Sequence, residues 1–262
     1  SQLIFTDFST IFNIITILST SLAVTIAEGL SYKGSDNLTI PITAFLFIEL
    51  FNHLNKINFI IEFLFIITII VLLLFMFYIK KHLSISGFIG AALMAALLFG
   101  FGGYSYIYPI VVFFITSTIL SFFKKQNTKI IKSDRTIKQV YANGGIALFI
   151  CILNHFFSHS LIYPCFLASV AAANSDTWGT EFGKKSNKNP IDILSGNIVR
   201  DGVSGGITIY GTIGSIIGAI LIGITGYYFL TDIKLILLII ISGFLASVCD
   251  SILGSSVQAR YI

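Results

Sequence analysis

Residues 57–79 read INFIIEFLFIITIIVLLLFMFYI, 23 residues with Glu62 as the one charge. A helix of ~20 apolar residues crosses the ~30 Å hydrocarbon core of a bilayer, so this stretch predicts a transmembrane helix. Working outward from it, eight further apolar segments lie at about 8–27, 39–54, 87–103, 105–123, 140–158, 161–175, 204–229 and 234–249. The fold class expected is all-α, a polytopic transmembrane helix bundle. Composition agrees. Hydrophobic residues make up 55% of the 262 and charged residues 11%, against about 25% charged in soluble domains, too few to cover a water-facing surface. Leu, Ile, Phe, Gly and Ala dominate without the alternation that a barrel of strands requires. Cys151, Cys165 and Cys249 are isolated, which excludes a zinc cluster or a disulfide framework. A net charge of +4 is no sign of nucleic acid here, and none is expected as a partner.

Where the charges sit says more. If the helices alternate, the loops 28–38, 80–86, 124–139 and 176–203 and the C-terminal tail share one face, which carries 14 of the 16 Lys and Arg residues. That bias predicts a cytoplasmic basic face in a cell inner or plasma membrane. Loop 124–139, with six cations, is suited to anionic lipid headgroups. Small residues recur at four-residue spacing in Gly87/Ala91/Ala95, Ala92/Ala96/Gly100 and Gly214/Gly218, ridges that let helix backbones approach closely in lipid. His53, His155 and His159 sit beside aromatics at outer helix ends, and His82 follows Lys80 and Lys81 in a basic loop. A start at Ser1 rather than Met leads us to expect a piece of a longer protein.

Four acids, Asp176, Glu181, Asp201 and Asp250, fall at or near the basic-face ends of apolar segments. A carboxylate in hydrocarbon costs several kcal/mol, so Asp176 is expected to face a bundle interior, a metal or a polar cleft. Between these acids runs GKKSNKNPIDILSGNIVRDGVSGG, residues 183–206. It offers Lys184, Lys185, Lys188 and Arg200 as cations, then Gly202, Ser204, Gly205 and Gly206 just ahead of an apolar segment. Glycines admit phosphate oxygens to backbone N–H groups, and a helix N-terminus adds its dipole. Asp250, in CDSILGSSVQ (249–258), is expected at the membrane level of Asp176. Two carboxylates at one depth, with Glu181 as a third candidate, suit Mg²⁺ bridging nucleotide phosphates. Asn143, Asn174, Ser251 and Gln258 are further polar candidates.

The motifs FGFGGY (99–104), YANGG (141–145), ANSDTWGTEFG (173–183), DGVSGG (201–206) and CDSILGSSVQ (249–258) resemble the membrane family of transmembrane protein 19 and plant phytyl-phosphate kinase. That resemblance implies an enzyme converting an isoprenyl monophosphate to its diphosphate with CTP or another nucleoside triphosphate. By it, Asp176, Asp250 and Lys184 are catalytic, and Gly183 joins the phosphate-binding set. A second stretch, TIAEGLSYKGSDNLTIPITA (25–44), looks like the C-terminal end of the phytol kinase and dolichol kinase family, with Glu28, Asp36 and Asn37 matching its motif. The organisation this implies is a remnant of a phytol kinase-like domain over 1–54 and a prenyl-phosphate kinase-like domain over 55–262. In polyprenol kinases and phosphatidate cytidylyltransferases an Asp precedes a Gly-Lys or Gly-Arg and then a Gly-rich turn. Asp176, Gly183-Lys184 and Ser204-Gly205-Gly206 repeat that order, an analogy only. The alternative is a transporter or lipid flippase without nucleotide chemistry, which predicts acids near the bilayer midplane and repeated halves.

Overall fold

The computed structural model describes residues 10–31, 34–122, 135–186 and 189–257. Among these, eight helices account for the nine expected segments: α1 Thr10–Leu30, α2 Asp36–Lys56, α3 Ile60–Ile79, α4 Ile85–Phe122, α5 Ile137–Phe157, α6 Ile162–Gly183, α7 Ile209–Tyr227 and α8 Ile233–Ser256. Two expected segments fuse into α4. Its 38 residues would form a rod of ~57 Å if straight, nearly twice a hydrocarbon core. The helix breaks at Gly103, at φ 65° and ψ −155°, backbone space open to glycine. Each arm is then close to a single span. Seven helices are long and apolar enough to cross a membrane; α6 falls short because its last third is polar. The bundle is all-α apart from a two-residue antiparallel pair, β1 Ile191–Asp192 and β2 Gly206–Ile207.

The chain divides into two compact units, the described residues of Ser1–Phe101 with Asp134–Val140, and those of Gly102–Ser133 with Tyr141–Ile262. In the first unit, Leu50, Leu54, Leu98 and Phe99 are fully buried. Phe63 stacks on Phe99 with ring centroids 6.1 Å apart, and Gly100 lies against Leu50 with no room for a Cβ. The Arg135 carbonyl accepts from Ser84 N–H at 3.1 Å. His82 is buried edge-on to Phe77.

The second unit is organised by α6, α7 and α8. Close approaches pair Leu167 with Gly226, Asn174 with Gly218 and Gly179 with Gly211, so α6 and α7 run antiparallel. Ala171 meets Gly243, and Ser215 links the three helices, its carbonyl accepting from Ser175 Oγ and its hydroxyl bonded to that of Ser247, so α8 runs parallel to α6. Glycines on α7 make this possible: a Cβ on Gly214 would stand 2.9 Å from the Trp178 carbonyl, and one on Gly218 2.9 Å from that of Asn174. Tyr106, on the second arm of α4, packs on Phe166 at 4.4 Å.

Three boundaries differ from expectation. Helix α6 continues through Asn174 and Ser175 to Gly183, and α8 continues through Asp250 to Ser256. Polar residues lower the hydropathy there, yet neighbouring helices accept their hydrogen bonds and the helices persist. Helix α7 begins at Ile209, not 204, with Thr208 as its N-cap accepting from Gly211 N–H at 3.0 Å.

Candidate functional site

Asp176 and Asp250 come together. Because α6 and α8 are parallel and in register from Ala171 and Gly243 onward, the two carboxylates reach one level, near enough for Asp176 to feel the charge of Asp250. Both are exposed, on an open face of the α6–α8 pair. Each stands six or seven residues before its helix ends, ~10 Å inside rather than at the terminus as the apolar segments implied.

On its inner side the site rests on a polar seam. Asn174 Nδ2 donates to the Gly218 carbonyl at 2.7 Å and Ser175 Oγ to that of Ser215 at 2.8 Å, with both side chains fully buried. Asn174 Oδ1 and Trp178 Nε1 are buried without partners among the described residues. Leaving such groups unpaired costs ~1–3 kcal/mol each, so this seam is held by packing around it. Asn174, a polar candidate from the sequence, is thereby a helix–helix clamp facing α7. Ser251 donates back to the Ser247 carbonyl at 3.2 Å, and Asn143 is half-buried on α5. Gln258 and Lys188 lie outside the described residues, as does most of loop 124–139.

Glu181 is engaged by Lys184 Nζ at 3.0 Å, one turn on. Lys185 lies over the Phe182 ring at 5.5 Å from its centroid, and Phe182 stacks on Trp178. Gly183 abuts Gly211 and Thr208. Arg200 and Gly202 are exposed in the loop. Among the described residues no three of His, Cys, Asp and Glu converge as a metal cluster.

The glycine-rich turn stands elsewhere than at a helix N-terminus. Ser204 and Gly205 lie on the last turn of α8: a Cβ on Gly254 would meet Ser204 Oγ and stand 2.9 Å from Gly205 N. Gly206 is in β2, opposite Asp192. The loop is thus an ordered cap fastened to the helix that carries Asp250. Asp192 was missed by the sequence reading. Its carboxylate accepts from the Ser195 N–H at 2.7 Å and the Leu194 N–H at 3.2 Å, and the nearby Ser255 hydroxyl together with these turn groups holds it well below the usual carboxylate range, at about 2. The signal was present in Asp-Ile-Leu-Ser-Gly, an Asp followed by the small polar residues of an Asx turn.

Residues 68–262 match the model of the family described as integral membrane protein DUF92. An uncharacterized membrane protein of Methanocaldococcus jannaschii is 35% identical over 202 residues, spanning 75% of this chain and 84% of the relative. Protein PGR of Arabidopsis thaliana is 27% identical over 219 residues, 71% of this chain and 76% of its own. No solved structure matches.

Proposed function

We propose that this chain, which belongs to the DUF92 integral membrane protein family, is a membrane phosphotransferase that converts an isoprenyl monophosphate to the diphosphate with CTP or another nucleoside triphosphate. The observation that carries the reading is the parallel register of α6 and α8, which brings Asp176 and Asp250 to one level, with Lys184 and Lys185 just past the end of α6. Mg²⁺ keeps several waters and is held by one or two carboxylates plus substrate phosphates, so a pair without a third acid fits it better than it fits an all-protein cage. When bound, the ion would neutralise and orient the terminal phosphates of the nucleotide.

The chain's own residues supply the rest. A phosphate oxygen of the acceptor forms a bond to the γ-phosphorus, and the bond from that phosphorus to the bridging oxygen of the nucleotide breaks. The products are isoprenyl diphosphate and nucleoside diphosphate. The attacking oxygen is already anionic, so no general base is required. Positioning and charge neutralisation carry such transfers, and Lys184, Lys185 and Arg200 would offset the phosphates' charge. The isoprenyl tail would lie along the apolar helix faces. The proposed domain division follows: 1–54 a phytol kinase-like remnant, 55–262 the kinase-like body, with the site on the cytoplasmic side.

One observation favours a transporter instead, the position of both acids ~10 Å inside their helices. Incubating purified protein with geranylgeranyl monophosphate, Mg²⁺ and each nucleoside triphosphate separates the two readings. The enzyme yields a diphosphate lipid and a nucleoside diphosphate in equal amounts. A transporter yields neither.

A further inference from the structure

The sequence NPIDILSGN (189–197) contains an acid that the reaction above does not use. Asp192 is 9% exposed although it lies in a loop. Its own turn contributes the Leu194 and Ser195 N–H groups, and the Ser255 hydroxyl of α8 is near enough to help hold its charge. One carboxylate thus ties the cap to a membrane helix. A second tie runs through the next residue, whose Ile193 N–H donates to the Gly205 carbonyl at 3.1 Å, while Asp192 pairs with Gly206 across β1 and β2. Gly205, at φ +86°, lies so flat on α8 that a Cβ would come within 2.6 Å of Ser255 N and 2.7 Å of Ser255 Cα. Gly254, beneath this turn, follows Asp250 by four residues, one helical turn along the same face.

We propose that Asp192 is a positioning residue: by holding the turn that pairs with Gly205 and Gly206 and lies against Ser255, it clamps the Ser204–Gly205 turn onto α8, one turn beyond Asp250, and so sets where a substrate phosphate meets the carboxylate pair. This rests on the phosphotransferase reading for its consequence, whereas the clamp itself is independent of any activity. Removing the carboxylate frees the turn without touching Asp176, Asp250 or the polar seam.

The test uses Asp192→Ala, Asp192→Asn and Ser255→Ala in the whole protein, read by amide exchange and by steady-state kinetics. Asp192→Ala is expected to speed exchange at Ile193, Leu194 and Ser195 by about tenfold or more, as loss of charge-assisted hydrogen bonds predicts. Exchange in α6 and α7 should hold. The KM for nucleotide should rise by about tenfold with kcat within threefold, since a displaced turn weakens binding before chemistry. Ser255→Ala should give part of this effect and add nothing in the Asp192→Ala background. Asp192→Asn keeps an Oδ1 acceptor and should restore most of both readouts. Unchanged exchange in Asp192→Ala, or effects of Asp192→Ala and Ser255→Ala that add independently, would overturn the clamp. A collapse of kcat with KM unchanged would overturn the positioning role by placing Asp192 in the chemistry itself. Inactive wild-type protein would overturn the phosphotransferase reading and this consequence together, while exchange would still decide the clamp.

Discussion

Substituting Gly218 by Ala puts one methyl group into the tightest part of the α6–α7 contact. The new Cβ would stand 2.9 Å from the Asn174 carbonyl oxygen and 3.0 Å from Trp178 Cβ. The first of these is backbone and cannot swing away, so the helices must part by ~0.5 Å to restore ordinary contact. The 2.7 Å bond from Asn174 Nδ2 to the Gly218 carbonyl then stretches toward the edge of good geometry. Overpacking of this kind costs ~1–3 kcal/mol, and the better helix propensity of Ala returns about 1. The net is a loss of roughly 1 kcal/mol by those two figures. Gly145→Ala on α5 is the control, because its Cβ meets only Tyr141 of its own helix, at 3.9 Å. There the propensity gain of up to about 1 kcal/mol stands alone. Steric-trapping measurements of unfolding in bicelles should therefore place the two variants on opposite sides of wild type. Gly218→Ala as stable as Gly145→Ala would refute the packing argument for this seam.

Two further outcomes follow from the geometry. The Glu181–Lys184 pair, at 3.0 Å with the Lys184 side chain 52% exposed, contributes at most ~0.5 kcal/mol. Lys184→Ala should leave the melting temperature unchanged while raising the KM for nucleotide several-fold in the turnover assay, since Lys185 and Arg200 remain. The Asp192 carboxylate titrates at about 2 when folded, below ~3.9 in an unfolded chain. Its contribution is therefore complete above pH ~4 and is lost as pH falls from there toward 2. The difference in melting temperature between wild type and Asp192→Asn should be constant from pH 5 to 8 and shrink toward zero at the acid end. A difference that changed with pH between 5 and 8 would mean another group governs the cap.

Much of the helical architecture was legible in the chain because lipid makes the rule simple: an apolar run of span length has to satisfy its backbone internally. The run at 57–79 became α3, Ile60–Ile79, and each other segment became a helix or an arm of one. Legibility ended where helices carry polar residues. Hydropathy falls at Asn174, but the helix does not, since that side chain finds the Gly218 carbonyl 44 residues away. The same blindness placed Asp176 and Asp250 at helix ends. Their common level followed from alternation of segments across the membrane, whereas their placing on adjacent helices comes only with the packing of α6 on α8. The lodging of Gly205 against Ser255, fifty residues on, is a tertiary contact with no local signal, so the glycine-rich run read as the start of a helix. Asp192 had a local signal, its Asx turn, but its tie to Ser255 exists only in three dimensions.

The central claim is that the Asp176–Asp250 pair supports phosphoryl transfer, and ³¹P NMR of one sample tests it most directly. Purified protein, Mg²⁺, CTP and geranylgeranyl monophosphate should show the monophosphate resonance replaced by the two resonances of a diphosphate, with CDP rising in step. Asp176→Asn and Asp250→Asn proteins, folded by near-ultraviolet circular dichroism, should run at least 100-fold slower, because the charge lost is worth several kcal/mol and ~1.4 kcal/mol is tenfold. Undiminished diphosphate formation in folded Asp176→Asn protein, or none from the wild type with any nucleoside triphosphate, would contradict the account.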